Sequence, residues 1–216
     1  MASGRSRRSG SEDPRARRNA QFAQINTILE ASTTRLAELR KNKAQCELLR
    51  SVADGLYEEV DKVSKKSPAE TVTTLVLEEV NHLVTQVKVL GGEDPFIQRL
   101  REFVPAGERP EHRDAVVVLK LVLQGLDRVA KSLSSLADRE GSRSREARLV
   151  NVALEYFLEY GEAPTKDALE DLGQSAPDSW ITPYPDRAFD FDRLDRMNID
   201  VYFARDVEES QESEEE

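Results

Sequence analysis

Residues 22–63 step through apolar positions at alternating intervals of three and four, with no proline and no glycine before Gly55, and this run constrains the fold more than any other feature. Phe22, Ile25, Leu29, Ser32, Leu36 and Leu39 make one seam. After a slip in phase near Lys43, Cys46, Leu49, Ala53, Leu56, Val60 and Val63 make a second. Positions spaced 3.5 residues apart on average fall on one side of an α-helix, so the pattern demands a long helix of coiled-coil character. It is expected over 20–66, with Gly55 costing about 1 kcal/mol against Ala.

Further helices follow from start signals and periodicity. In "SPAE" (67–70), Ser67 suits a cap, Pro68 the first helical position and Glu70 the reciprocal half of a capping box. A helix lined by Val72, Val76, Val80, Leu83, Val87 and Leu90 should therefore begin there and end at Gly91-Gly92. Asp94 before Pro95 opens a short helix bearing Phe96, Leu100 and Val104. Ala115, Leu119, Val122, Leu126, Val129, Leu133 and Leu136 repeat at heptad spacing and mark a central helix, which "REGSRS" is expected to break. A further helix carries Leu149, Val150, Ala153, Leu154, Phe157 and Leu158 to Gly161, and a short one occupies roughly 166–172. Three prolines make the next stretch irregular, and the alternation of Ile199, Val201 and Phe203 in "NIDVYFA" suggests an edge strand or an extended docking segment.

Charge is unevenly spread over a total of −10. Residues 1–18 hold six Arg against Glu12 and Asp13, and 206–216 hold Asp206 and six Glu. Both ends should be solvated and disordered. The domain reading is a disordered Arg-rich tail at 1–19 and a long-helix bundle at 20–140. A helical hairpin with a Pro- and aromatic-rich segment follows at 141–205, then a disordered acidic tail at 206–216. The expected fold class is predominantly all-α, a helical bundle. One cysteine, Cys46, permits no intrachain disulfide and fits a reducing compartment. No apolar segment follows the basic start, and the longest apolar run, at 115–123, is interrupted by Lys120 and too short to span a bilayer. A cytoplasmic protein with no membrane partner is expected.

The stretch "YFLEYGEAPTKDALEDLG" (156–173) resembles the opening half of a winged-helix module. A DNA reader would then need a second helix offering Arg, Lys, Asn or Gln to the major groove. Here Lys166 faces Asp167, Glu170 and Asp171, and Pro177, Pro183 and Pro185 deny the next segment a regular helix, so packing is the better account. The residues typical of catalysis are sparse. His82 lies beside an apolar helix face, His112 in a charged loop and Cys46 on the seam. Asp186, Asp190, Asp192 and Asp195 lack the Gly and Glu of a calcium loop and are interleaved with Arg187, Arg193 and Arg196. No enzyme activity, cofactor or metal is expected.

Two function classes remain. The leading one is a non-enzymatic assembly or adaptor subunit, a homo-oligomer or the partner of another protein. It would act through the seam residues Leu36, Leu39, Leu49, Leu56 and Val60. Its second instrument would be the aromatic segment of Trp180, Tyr184, Phe189 and Phe191, which holds four of thirteen aromatics in twelve residues. The alternative is an accessory subunit of a nucleic-acid complex, gripping phosphates non-specifically through Arg5, Arg7, Arg8, Arg15, Arg17 and Arg18.

Overall fold

The computed structural model describes residues 13–102, 110–183 and 185–204. Among them the chain forms seven α-helices and one 3-10 turn, with β-pairing limited to isolated bridges, so the fold is all-α. The order is α1 (Pro14–Lys66), α2 (Thr74–Gly91), α3 (Pro95–Gln98), α4 (His112–Tyr160), α5 (Lys166–Asp171), the 3-10 turn (Asp178–Trp180), α6 (Phe191–Arg196) and α7 (Ile199–Ala204). The helices pack as two compact units. One is Arg35–Arg139, and the other joins Met1–Thr34 to Glu140–Glu216. Both α1 and α4 therefore contribute one part to each unit, whereas the sequence reading places 20–34 in the same bundle as the residues that follow.

The central unit, 35–139, is built from the later part of α1, all of α2 and α3, and the earlier part of α4. Cys46, Ala53 and Val60, one heptad apart on α1, meet Val80, Leu83, Val84 and Val87 of α2 and Leu119, Val122, Leu126 and Val129 of α4. Ile97 and Leu100 close the same core. Within the unit α1 and α4 run antiparallel: Arg50 pairs with Asp127 at 2.7 Å, and Lys120 lies over the Tyr57 ring at 5.8 Å. At Gly125 a Cβ would sit 3.2 Å from Val87 Cγ1, so the missing side chain lets α2 and α4 approach closely.

Four local expectations are corrected. The helix after Ser67 begins at Thr74, where the Thr73 hydroxyl oxygen accepts the Val76 amide at 3.4 Å. The "SPAE" capping box does not form because its backbone is recruited elsewhere. Val72 N–H donates to Pro110 at 2.9 Å, and the Glu70 carbonyl accepts the His112 amide at 3.1 Å and faces its ring Nδ1 at 2.7 Å. His112 is thus buried at the start of α4, not placed in a loop. The second correction is that α4 runs unbroken through "REGSRS". Gly141 costs about 1 kcal/mol in a helix, but no proline interrupts the run, Ser144 is buried, and Arg143 pairs with Glu140 one turn away. Third, "NIDVYFA" is helical, with the Asn198 side-chain Oδ1 accepting the Val201 amide at 3.2 Å. Fourth, residues 14–19, assigned to the disordered tail, form the first turns of α1.

The terminal unit pairs the earlier part of α1 with the later part of α4, again antiparallel: Asn26 and Asn151 share a side-chain hydrogen bond at 2.7 Å, and Arg15 donates to the Leu158 carbonyl at 2.9 Å. Two helices alone cannot enclose a core. Residues 164–204 supply the rest, laying Leu169, Trp180, Phe189, Phe191, Leu194, Ile199 and Phe203 against Ile25, Val150, Ala153 and Leu154. Gly161, at φ 80°, ends α4 with its amide on the Phe157 carbonyl, and the chain turns back into α5 capped by Thr165.

Candidate functional site

The terminal unit holds most of the described aromatic rings. Trp180 stacks on Phe189 with ring centroids 5.4 Å apart, and Phe191 meets Phe189 and Phe157 edge-on. Glu146 on α4 accepts two hydrogen bonds through Oε1, from the Trp180 indole N–H and the Tyr202 hydroxyl, each at 2.7 Å. The Arg193 guanidinium lies over the Trp180 ring at 4.5 Å from its centroid. Burial, and then the Glu146 carboxylate, push the Tyr202 hydroxyl above the ordinary tyrosine range.

A second cluster joins the first turns of α1 to α6. The Arg18 side chain is buried, its guanidinium over the ring of Phe191 at 4.4 Å and over that of Phe157 at 5.8 Å. Both of its terminal nitrogens reach the Asp195 carboxylate, NH2 at 3.0 Å. Gln21 donates to Asp195 at 3.1 Å, and Arg17, nearer solvent, approaches it at 3.3 Å. Burial works against ionising Asp195, but the Arg18 and Gln21 donors and the two Arg charges hold its carboxyl below the usual carboxylate range.

These placements change the standing of the sequence-derived residues. Trp180, Phe189 and Phe191 come together, but as core of the terminal unit and not as an outward docking surface. Arg15, Arg17 and Arg18 belong to a helix that engages the Leu158 carbonyl and Asp195, so the Arg-rich stretch is not one uniform phosphate-binding tail. Arg5, Arg7, Arg8, Tyr184 and the acidic run 206–216 lie outside the described residues. On the seam, Val60 is buried, Leu39, Leu49 and Leu56 pack partly buried against the central unit's own core, and Leu36 is half-buried. Val60, Leu39, Leu49 and Leu56 thus pack within the chain.

The other chemical candidates are also placed. Cys46 is buried with Sγ 3.4 Å from the Leu126 carbonyl, and burial pushes its thiol up. Asp190 caps α6 by accepting the Arg193 amide at 2.9 Å, while Asp195 serves Arg18. Among the described residues no three His, Cys, Asp or Glu side chains gather as a metal site would require, and no helix is long and apolar enough to cross a membrane. In the central unit, Leu90, Ile97, Val129 and Leu133 floor a cleft of about 200 Å³ rimmed by Asp94 and Arg128, paired at 3.1 Å. That is below the roughly 300–1,000 Å³ of ordinary small-molecule sites. Directly behind α5 the described residues form the 3-10 turn and bridges at Ile181 and Phe189, with no α-helix before α6.

What the sequence reading passed over is the outer surface of the central unit. Leu48 (65% exposed) and Val52 stand one turn apart on α1, as do Val117 (57%) and Leu121 on α4. On α2, Leu75 (75%) and Val89 (71%) are two heptads apart with exposed His82 midway. Glu146 and Arg18 were equally legible. Arg18 extends the 22-25-29 seam one step back, and Glu146 stands in phase with Val150, Ala153 and Phe157. Comparison of the chain with family models, with curated proteins and with solved structures finds no match in any of the three.

Proposed function

We propose that the protein is a non-enzymatic interaction subunit that binds another protein, or a second copy of itself, through the outer helical surface of residues 35–139. The observation that carries this reading is a filled core combined with large apolar side chains left in water on three helices, Leu48 with Val52, Leu75 with Val89, and Val117 with Leu121. Single exposed apolar residues are ordinary, but pairs repeated at one-turn or heptad spacing are what a partner helix or groove uses for anchorage. The buried seam and the aromatic segment serve the fold, so the anchors differ from those that periodicity alone suggests.

The test compares wild type with Leu48→Glu/Val52→Glu and Val117→Glu/Leu121→Glu double variants, all at exposed positions. Sedimentation over a wide concentration range reads self-association, and cross-linking in the native cell reads stable partners. Loss of a self-associated species or of a defined cross-linked partner in one variant, with helicity unchanged, supports the reading. Identical masses and identical cross-links in all three proteins would sink it.

A further inference from the structure

We infer that the terminal unit is latched at Asp195 and opens as a module of its own while the central unit stays closed. This stands apart from the proposed function, because it concerns residues that take no part in the exposed apolar pairs. The latch is a single carboxylate. Asp195 is the acceptor for Arg17, Arg18 and Gln21, which lie within five residues of one another on α1 and are far from α6 in sequence. Arg18 is 8% exposed, and among the described residues its Nε has no hydrogen-bond partner and Gln21 Oε1 is its one other polar contact. Removing the Asp195 charge therefore leaves a guanidinium buried against two rings without a counter-charge, a state that buried ions tolerate poorly.

Separability comes from the composition of α1 and α4 where the units divide. In α1 the division falls in "STTR" (32–35), where the Thr33 and Thr34 hydroxyls donate back to the carbonyls of Leu29 at 2.8 Å and Glu30 at 3.1 Å. Such back-bonding competes with the helix ladder and weakens it locally. In α4 it falls in "DREGSRSR" (138–145), which contains Gly141 and no large apolar residue. Each helix thus carries two apolar stretches that serve different cores, joined by a stretch whose buried side chains, Ser32 on α1 and Glu140 and Ser144 on α4, are polar or charged. Cooperative units of folding are expected to separate at such places.

The chain carries a reporter for each unit. Its single tryptophan, Trp180, is fully buried in the terminal unit, and its single cysteine, Cys46, is buried in the central one. In full-length Asp195→Asn, Trp180 should become roughly tenfold more accessible to a collisional quencher, and trypsin should cut after Arg187, Arg193 or Arg196 about tenfold faster, the scale on which losing a charged partner shifts a local opening. Cys46 labelling should stay within about twofold of wild type. Leu126→Ala, which thins the central core, should do the reverse, speeding Cys46 labelling and leaving Trp180 shielded. Should Asp195→Asn fail to fold, Arg17→Gln, at a half-exposed position, replaces it with a smaller shift in the same direction. The inference is overturned if both reporters move together in the variants of either unit, or if Trp180 and the tryptic sites are unmoved when the latch is cut.

Discussion

Two glycine-to-alanine substitutions in helices should change stability in opposite directions, although helix propensity alone treats them alike. Gly55 lies exposed in the interior of α1, and a Cβ there would meet nothing within 4 Å. Gly55→Ala should therefore add close to the full propensity difference, about 1 kcal/mol. Gly91 is the last residue of α2, and its added Cβ would lie 2.3 Å from Ile97 Cδ1, 2.8 Å from Cγ2 and 3.2 Å from Cβ. Swinging the terminal methyl relieves only the first contact. Relieving all three means moving α3, which the Asp94 carboxylate holds by accepting the amides of Phe96 at 2.8 Å and Ile97 at 3.1 Å. Overpacking of this kind costs about 1–3 kcal/mol, and the propensity gain at a helix end is smaller than in its middle. Gly91→Ala should thus destabilise the central unit by about 1–2 kcal/mol. Urea unfolding followed by far-ultraviolet circular dichroism, with Cys46 labelling to follow the central unit, measures both. Adding Ile97→Val to Gly91→Ala removes Cδ1 and should return part of the loss, a coupling of at least about 0.5 kcal/mol. If Gly91→Ala stabilises as much as Gly55→Ala does, the packing at the α2–α3 junction is wrong as described.

Three further outcomes follow from the caps and the shifted ionisations. Thr73→Ala should lower stability by about 1 kcal/mol, while Ser67→Ala should stay within about 0.5 kcal/mol of wild type, because the cap of α2 has passed from Ser67 to Thr73; equal losses in urea unfolding would restore the capping box. Tyr202, raised by burial and Glu146, contributes stability that is complete below the ordinary tyrosine pKa of about 10 and is lost as pH rises through the folded value. Asp195, held low, contributes stability that is complete above about pH 4 and is lost as pH falls through its folded value. Phenolate absorbance should therefore show one tyrosine whose titration moves down in Glu146→Gln, and Asp195→Asn should flatten the acid limb of the Trp180 emission profile; unchanged curves would refute these assignments.

The long helices were legible because a seam of apolar residues at three-four spacing has few alternatives, and Asp94-Pro95 marked α3 by the same chemistry that the structure uses. The Asp-Pro signal also stands at 13–14, in "EDPRARR", and there it starts α1, with Asp13 Oδ1 accepting the Arg15 amide at 3.0 Å. It is masked in the sequence by the surrounding arginines, which read as a solvated tail until Asp195 provides their counter-charge. The box at 67–70 and the break at 139–144 mislead for a related reason. Local signals state what a segment does alone, while the backbone of residue 70 is claimed by residue 112 and the helix across Gly141 is supported by the packing on both sides. The "NIDVYFA" alternation is too short to decide between strand and helix, and Asn198 decides it from outside the alternation. The exposed pairs on the central unit escaped notice because periodicity reports which residues share a face, not how many faces the fold covers.

The chain order of the two units also bears on how the protein is made. Residues 35–139 are contiguous, so every partner in that core has emerged once α4 is halfway synthesised. The first turns of α1, by contrast, are made before any of that core and meet Asp195 only after α6 has been synthesised. At translation rates of roughly 5–20 residues per second, the 64 residues between positions 139 and 203 take on the order of 3–13 s. Over that interval Phe22, Ile25 and Leu29 stand on a nascent helix whose covering is still being translated, so side chains made before the central core are sheltered after it.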